Sequence, residues 1–287
     1  AAGLPEGNLG RITFTTFRGD ADIIYAFVEA EKSAIVRSDD GGRSWVKVNQ
    51  DYNVAVRPFY FGEIVVDPID PDRIYNMSNG INVSVDGGRT FVPWEGIDVI
   101  HGDHHYLWIN PHDPRHIISG NDGGVGITRD QGNTWRYVSN LPLSQYYHVA
   151  VDDDMPYNIY GGLQDNSSQR GPSEIWEKGG IRNFHWQDVG ISDGFDTIPD
   201  PRDSMTGYTL GEGGYLFHWD MHTGEKEHLQ PVHPDPKVKL RFNWSAGFEL
   251  DPFNPDTIYI GSQFVHKSID RGKTFEIISD DMTTNNT

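Results

Sequence analysis

The sequence predicts an all-β fold made of repeated four-stranded sheets, and three observations support this fold class. A short pattern, Ser/Thr-x-Asp-x-Gly-x-Ser/Thr-aromatic, here called the box, occurs at residues 38–45, 84–91, 128–135 and 268–275. The box aspartates lie 46, 44 and 140 positions apart, and 140 is close to three further repeats. Short runs rich in Ile, Val, Tyr and Phe alternate with turns that hold the Pro and Gly residues. Such a period is typical of chains built from similar supersecondary units.

Each repeat unit is predicted to contain four strands in the same order. In the second unit the strands cover residues 63–66, 74–76, 81–84 and 90–93. An Asp-Pro turn at 67–71 separates the first two strands, a Gly/Asn-rich turn separates the next two, and the box separates the last two. The third and sixth units repeat this order, so the same local structure is expected in each.

Six such units account for the chain as a single domain, residues 1–287. The fourth and fifth units lack a recognisable box, and the fourth has an extra polar stretch around 167–180. The approximate unit boundaries are 10–50, 58–97, 101–140, 144–188, 192–232 and 242–280. Four antiparallel strands per unit, repeated radially, form the blades of a β-propeller. We therefore predict a β-propeller of at least six blades, either a six- to seven-bladed ring or part of a larger two-propeller protein. A linear β-solenoid is disfavoured because its coils are shorter.

The composition excludes several classes of partner. The formal net charge of −19 opposes binding to nucleic acid and to anionic lipid, because both interactions depend on Lys and Arg. The sequence has no cysteine, which excludes disulfides and thiolate metal sites, and no apolar run long enough to predict membrane insertion. A glycan, a protein or a bound cation is compatible with this acidity.

The box is predicted to be a turn that maintains the fold. Its Asp can accept backbone N–H bonds inside the turn, its Gly supplies a positive φ angle, and its closing Trp or Phe is expected to pack between blades. A residue that recurs once per blade is expected to stabilise the structure of each blade. We therefore interpret the four box aspartates as structural and not catalytic: Asp40, Asp86, Asp130 and Asp270.

The box resembles the Asp-box of BNR-repeat propellers, a group that includes sialidases, xyloglucanases, sortilin-type receptors and photosystem assembly propellers. Three longer strings, at residues 101–105, 120–124 and 162–166, are similar to a bacterial group of large secreted BNR proteins that are glycosyl-hydrolase-like or sortilin-like. The resemblance covers essentially the whole chain. It implies a location outside the cell or in the periplasm, at the bacterial envelope. It also implies further propeller segments of a longer parent chain, or another subunit, as partners.

Polar and aromatic residues concentrate at the end of the units opposite the box, here called the open end. Turns on a rigid scaffold commonly carry functional side chains. The residues predicted to bind a ligand there are His104, His105, Asp122, Tyr147, Gln164, Asn166, Asp193, Asp196 and Trp244.

Three hypotheses compete for this end of the molecule. The first is a non-catalytic surface that binds a glycan or a protein. The second is an inverting glycoside hydrolase of the xyloglucanase kind, which needs one carboxylic acid and one carboxylate that activates water. Its catalytic candidates are Asp103, Asp165 and Glu212, with Trp244 or Tyr147 as a platform for stacking a sugar. Each acid also has the simpler interpretation of a solvated turn residue.

The third hypothesis is a metal site. Asp103, His104 and His105 with Asp122 or Asp165 could hold a cation, but adjacent residues of a strand point to opposite faces, so at most one of the two histidines faces the opening. The spacing matches no zinc signature. No motif requires a cofactor, and calcium bound by turn carbonyls and carboxylates is the metal alternative that stays open.

A sialidase is not predicted. The resemblance to sialidases implies a cluster of three arginines and an Arg-Ile-Pro string. This sequence has no Arg-Ile-Pro string, and Arg57 is the arginine predicted to lie nearest the open end. The sequence therefore favours a binding scaffold for a glycan or a protein at the cell envelope, with the inverting hydrolase as the alternative.

Overall fold

A computed structural model describes residues 3–141 and 143–284 of the chain. Within these ranges, 24 β-strands form six four-stranded antiparallel sheets, each built from four consecutive strands in chain order. The chain divides into two compact units, unit 1 (Ala1–Leu141) and unit 2 (Pro142–Thr287), and each unit contains three sheets. In the same described ranges, no helix has the length and apolar character needed to cross a bilayer.

Unit 1 contains sheets 1, 2 and 3. Sheet 1 consists of β1 (Ile12–Thr16), β2 (Ile23–Val28), β3 (Ala34–Asp39) and β4 (Val46–Asn49). Sheet 2 consists of β5 (Ile64–Val66), β6 (Ile74–Met77), β7 (Ile81–Ser84) and β8 (Val92–Pro93). Sheet 3 consists of β9 (His104–Ile109), β10 (Ile117–Asn121), β11 (Gly124–Thr128) and β12 (Arg136–Tyr137). Two short 3-10 helices, Tyr52–Val54 and Ile97–Val99, lie in the connections between sheets.

Unit 2 contains sheets 4, 5 and 6. Sheet 4 consists of β13 (Tyr146–Val151), β14 (Asn158–Leu163), β15 (Ser168–Pro172) and β16 (Gln187–Asp188). Sheet 5 consists of β17 (Gly194–Asp200), β18 (Asp203–Gly211), β19 (Leu216–Asp220) and β20 (Glu225–Leu229). Sheet 6 consists of β21 (Phe248–Leu250), β22 (Ile258–Gly261), β23 (Val265–Ser268) and β24 (Glu276–Ile277). The 3-10 helices of this unit are Asn183–His185 and Glu212–Gly214.

The box turn has the same hydrogen bonds in each of the four sheets that contain it. In sheet 1 the Ser38 hydroxyl donates to Asp40 Oδ1 at 2.8 Å and accepts the N–H of Gly42 at 2.8 Å. Asp40 also accepts the backbone N–H of Ser44 at 2.9 Å and the Ser44 hydroxyl at 2.6 Å. Equivalent bonds surround Asp86, Asp130 and Asp270. The four carboxylates are thus engaged inside their own turns.

Backbone conformation explains the glycine in the box. Gly42 and Gly272 have φ angles of 85° and 86°, a region that favours glycine over other residues. A Cβ on Gly272 would also lie 2.7 Å from a methyl carbon of Leu229. Any larger residue at this position is therefore strained.

A backbone hydrogen bond joins each box turn to the turn between the first and second strands of the same sheet. The N–H of Gly41 donates to the carbonyl of Asp22 at 3.0 Å, and the N–H of Arg271 donates to the carbonyl of Asp256 at 2.9 Å. The same bond recurs in sheets 2 and 3. Both turns therefore lie at one end of the sheet, and the turn between the second and third strands lies at the open end.

Apolar clusters lie between neighbouring sheets of each unit. Sheets 1 and 2 bury Tyr25, Phe27, Ile35, Ile64, Ile74 and the closing box residue Phe91. Sheets 2 and 3 bury Tyr75, Met77, Ile81, Leu107, Ile109 and Ile117. In unit 2, sheets 5 and 6 bury Phe195, Tyr208, Leu210, Phe248, Ile258 and Ile260, and Tyr160 of sheet 4 packs with Trp219 of sheet 5. Burial of these side chains from water is the main favourable contribution to the stability of each unit.

The predicted fold class is confirmed: the chain is all-β and consists of four-stranded antiparallel sheets, consistent with a β-propeller. The assignment of the six sheets to one domain stays a prediction.

Candidate functional site

In unit 1, backbone and side-chain hydrogen bonds at the open end fix Asp103. The N–H of Asp103 donates to the carbonyl of Asn79 at 2.9 Å, and Nδ2 of Asn79 donates to Oδ1 of Asp103 at 2.7 Å. The Asp103 carbonyl accepts the N–H of Asp122 at 3.3 Å. Asp103 has a φ angle of 55°, which is uncommon for residues other than glycine and often marks a functional or strained position.

His104 is buried, contrary to the ligand-binding role predicted for it. Its side chain is 1% exposed, and Nδ1 lies 2.8 Å from the Ser119 hydroxyl oxygen. Burial lowers the pKa of His104 to about 4, because an imidazolium would lose its hydration, and the neighbouring His101 and His105 act in the same direction. His104 is therefore a neutral core residue that cannot contact a ligand or a metal from this position.

His105 points to the other face of the strand and is partly exposed. Its Nε2 lies 2.8 Å from Oδ1 of Asp122, so these two predicted residues contact each other. The ring of His105 stacks on Phe61 at 5.5 Å and meets the edge of Tyr60 at 5.4 Å. The alternation of side chains along a strand explains why only one of two adjacent histidines reaches the open end.

The aromatic residues beside His105 are not among the predicted site residues. Tyr60 and Phe61 belong to a segment directly before β5, and the Arg57 guanidinium lies over their rings, 5.0 Å from the Tyr60 centroid and 5.8 Å from the Phe61 centroid. The run Phe59-Tyr60-Phe61 just before a first strand is the feature that could have revealed this cluster.

In unit 2, the carboxylate of Asp193 connects the open ends of three sheets. Its Oδ1 accepts the backbone N–H of Asp165, after β14 of sheet 4, at 2.6 Å. Its Oδ2 accepts the indole N–H of Trp244, before β21 of sheet 6, at 3.1 Å. Its backbone carbonyl accepts the N–H of Glu212, after β18 of sheet 5, at 3.1 Å. Asp193 itself is 4% exposed, so it positions other residues more than it offers a surface to a ligand.

The environment of Asp193 raises the pKa of its carboxyl group above the ordinary value. Burial raises the pKa of this carboxyl, and the charge of the Asp165 side chain and a hydrogen bond to it act in the same direction. The bonds from the Asp165 N–H and the Trp244 indole oppose the rise but do not cancel it. The 2.6 Å bond from the Asp165 N–H to the Asp193 carboxyl makes these two residues close neighbours.

Trp244 combines an exposed ring with a fixed orientation. Its side chain is 56% exposed, while its indole N–H is bonded to Asp193. Its carbonyl accepts the N–H of Gly213 at 3.0 Å, which links the segment to the 3-10 turn that contains Glu212. Tyr147, the other predicted platform, instead stacks on Phe195 at 4.5 Å and packs against the apolar cluster of sheets 5 and 6.

Of the remaining predicted residues of unit 2, Gln164 and Asn166 lie in the connection after β14, and Asp196 lies in β17. Asp196 Oδ1 lies 2.6 Å from Nδ1 of His148, within hydrogen-bond distance. The Gln164 carbonyl accepts a bond from Nδ2 of Asn166 at 2.9 Å. Three residues other than glycine have positive φ angles here: Asp165 at 56°, Ser167 at 66° and Ser192 at 46°. Such backbone conformations are concentrated at functional sites more often than elsewhere.

Only predicted site residues that are at least partly exposed can contact a ligand directly. In unit 1, the partly exposed residues are Asp103, His105 and Asp122; in unit 2 they include Asp165, Glu212 and Trp244. None of these contacts identifies a cofactor, and the calcium site stays a prediction.

Comparison with known proteins gives a limited likeness to glycan-acting enzymes. No protein-family model matches the chain. A xyloglucanase of Acetivibrio thermocellus is 24% identical over an alignment 316 positions long, which covers 90% of this chain and 37% of the relative. A GH74 enzyme of Niastella koreensis has a TM-score of 0.40 and 16% identity, covering 92% of this chain and 37% of that one. YCF48 from Cyanidioschyzon merolae has a TM-score of 0.35 and 13% identity, covering 94% of this chain and 84% of that one.

These comparisons leave the family assignment open. The chain spans little more than a third, 37%, of the length of the xyloglucanase it matches. Membership of the BNR group therefore stays a prediction, while the sequence similarity to a xyloglucanase is a finding about this chain.

Proposed function

We propose that unit 2 binds a glycan and that the indole ring of Trp244 is the surface on which a sugar ring stacks. The observation that carries this proposal is the 56% exposure of Trp244 together with its hydrogen bond to the buried Asp193. An aromatic ring offers a large apolar face to the C–H groups of a sugar. A ring that is already fixed loses little conformational freedom on binding, which favours affinity.

Polar groups beside this ring suit a neutral sugar. The backbone N–H of Asp165 donates to the Asp193 carboxylate and the backbone N–H of Glu212 donates to the Asp193 carbonyl, so both residues are held by the residue that also bonds to Trp244. Carboxylate oxygens accept hydrogen bonds from hydroxyl groups. The 24% identity to a xyloglucanase supports a β-glucan such as xyloglucan as the first ligand to test.

The cellular setting belongs to the same proposal. A glycan-binding scaffold of this kind would act outside the cell or in the periplasm, together with further propeller segments of a longer chain or another subunit. The similarity to a longer xyloglucanase supports this view.

An inverting glycoside hydrolase is the second candidate, and the same sequence similarity favours it. An inverting enzyme needs carboxyl groups roughly 6.5–9.5 Å apart, with room for a water between the sugar and the base. Asp165 and Asp193 do not fit this requirement, because the Asp165 N–H bonds directly to the Asp193 carboxylate and the Asp165 side chain is close enough to raise the pKa of Asp193. Asp103, Asp165 and Glu212 remain as catalytic candidates. The second carboxyl group of the catalytic pair would in each case be one other than that of Asp193.

The experiment measures binding and turnover on the same protein. Xyloglucan oligosaccharides are titrated by isothermal calorimetry into the wild type, Trp244→Ala and Trp176→Ala, and reducing ends are then assayed after long incubation. Trp176 is the matched control because it is 98% exposed and belongs to the long connection between β15 and β16. We expect binding that Trp244→Ala abolishes and Trp176→Ala leaves unchanged, without turnover.

Other outcomes would change the conclusion. Equal affinity of the wild type and Trp244→Ala would contradict the stacking platform. New reducing ends that disappear in Asp165→Asn, Glu212→Gln or Asp103→Asn would instead establish the hydrolase.

A further inference from the structure

Arg57 has an unusual environment at the open end of unit 1. Its side chain is exposed, and its guanidinium lies over the rings of Tyr60 and Phe61. The Arg57 carbonyl accepts the backbone N–H groups of Tyr60 and Phe61, both at 2.9 Å, and the residue has a φ angle of 50°. The turn that carries Arg57 is thus closed by its own hydrogen bonds, and the guanidinium is held against the aromatic rings of the same turn.

The Arg57 guanidinium has stacking partners but no acidic partner. Among residues 3–141 and 143–284, no carboxylate lies within ion-pair distance of Arg57, although several other arginines have one. The nearby carboxylate of Asp122 is engaged by His105. Within those ranges the exposed Arg18 also has no carboxylate partner, so the feature that distinguishes Arg57 is the position of its guanidinium over two aromatic rings.

We infer that Arg57 is an anion subsite that binds the carboxylate of an acidic sugar, such as a uronic acid residue. A guanidinium that stacks on aromatic rings through its flat face keeps its N–H edge available, and that edge matches the two oxygens of a carboxylate. The exposed rings of Phe59 and Tyr60 lie in the same turn and offer apolar surface to the sugar. This inference goes beyond the Trp244 site, since it concerns another unit and another chemical group, although it rests on the proposal that the protein binds glycans.

The net charge of the protein disfavours a long polyanion at this position more than a short oligosaccharide with few carboxylates. The net charge of −19 opposes the approach of a polyanion with closely spaced charges, such as a nucleic acid. At physiological salt, however, exposed charges more than about 8 Å apart are largely screened, so one carboxylate beside Arg57 experiences mainly its immediate surroundings. A phosphate would carry more charge into the vicinity of Asp103 and Asp122, which disfavours it relative to a carboxylate.

The test uses tri-galacturonate and its fully methyl-esterified form as a matched pair of probes, because the ester removes the charge and preserves the sugar. Affinities are measured by calorimetry for the full chain at low and high salt. We expect the acid to bind at least about tenfold more tightly than the ester, a difference of about 1.4 kcal/mol. Arg57→Gln should remove this preference. Arg57→Lys should weaken it, because an ammonium lacks the planar fork.

Controls separate a specific subsite from general electrostatic attraction. Arg18→Gln removes an exposed arginine from the turn between β1 and β2, at the box end, and should leave the preference unchanged. Trp244→Ala should also leave it unchanged, so failure of the Trp244 proposal and failure of this inference are distinguishable. The melting temperatures of the Arg57 variants are measured to show that both are folded.

Several results would overturn the inference. These are no binding of the acid, equal affinity for acid and ester, an unchanged preference in both Arg57 variants, or an equal loss in Arg18→Gln. A tri-glutamate peptide that binds as tightly as tri-galacturonate would show that the ligand is an acidic peptide and not a sugar.

Discussion

The indole N–H of Trp244 donates a hydrogen bond to Oδ2 of Asp193 at 3.1 Å, and this bond joins an exposed ring to a carboxylate that is almost closed to solvent. The other oxygen of Asp193 accepts the N–H of Asp165. Sheets 4, 5 and 6 each contribute one of these three residues. One side chain therefore holds the open end of unit 2 together and orients the ring that we propose as the glycan platform.

Trp244→Phe tests this bond because it keeps an aromatic ring and removes the N–H donor. Asp193 Oδ2 then loses its partner, and a buried acceptor without a partner costs about 1–3 kcal/mol. We expect the free energy of unfolding to fall by about that amount in urea denaturation. Trp176→Phe, at a position that is 98% exposed, should change it by less than about 0.5 kcal/mol. Equal stability of the two variants would mean that the Trp244 bond does not stabilise the fold.

Gly272→Ala tests the conformation of the box. Residue 272 has a φ angle of 86°, and an added Cβ would lie 2.7 Å from Leu229. A left-handed conformation alone costs about 1–2 kcal/mol for a residue with a Cβ, so we expect at least that loss in the free energy of unfolding. Gly80→Ala is the control, since its Cβ would meet no atom within 4 Å and its φ is not positive. Similar losses in both variants would show that the box glycine has no special backbone role.

The box aspartates predict a loss of stability in strong acid. Side-chain and backbone hydrogen bonds from Ser44 lower the pKa of Asp40 to about 2, and those from Thr274 do the same for Asp270. A carboxyl whose pKa is lower in the folded state stabilises the fold above its unfolded pKa, near 4, and this contribution is lost as the pH falls toward 2. We expect the melting temperature to drop over this range. The drop should be smaller in Asp40→Asn and Asp270→Asn than in the wild type. A drop of the same size would show that these two carboxyl groups do not cause the loss of stability in acid.

His104 predicts a second pH dependence, at higher pH. Burial lowers its pKa to about 4, so the folded state holds the neutral imidazole while the unfolded chain takes up a proton below pH 6.5. The stability due to this group is therefore fully present above pH 6.5 and falls by on the order of 3 kcal/mol as the pH decreases to 4. Unfolding in urea at pH 7.5 and pH 4.5 measures this loss.

His104→Gln should reduce the loss, because glutamine can still bond to Ser119 and does not titrate. His112→Gln, which changes an exposed histidine, is the control and should keep the loss of the wild type. A loss that is the same in both variants would assign the pH dependence to other groups.

Local sequence patterns were sufficient to predict the strand order, because the box and the apolar alternation both act within one sheet. They were less useful where a strand lacks alternation. Strand β15, Ser168–Pro172, falls within the extra polar stretch around 167–180, where the sequence predicts no strand. Its place in the sheet is set by pairing with β14, for example Gln169 opposite Gly161, and not by its own apolar residues.

The candidate site was predictable as a region but not in the role of each residue. Side chains alternate between the two faces of a strand, so one of the two adjacent histidines must be buried and the other exposed. The structure shows that His104 is the buried one and His105 the partly exposed one, which the sequence alone does not decide. The bond between Asp193 and Trp244 joins residues 51 positions apart. Such a contact depends on how two sheets pack, and no local pattern records it.

The most direct test of the Trp244 platform uses the indole N–H signals of the eight tryptophans in a proton–nitrogen correlation spectrum. The signals of Trp244 and Trp176 are identified as those missing in Trp244→Phe and Trp176→Phe, and xyloglucan oligosaccharide is then added to saturation. We expect the Trp244 signal to shift and the Trp176 signal to stay in place. An unmoved Trp244 signal in the presence of bound oligosaccharide would contradict the proposed site.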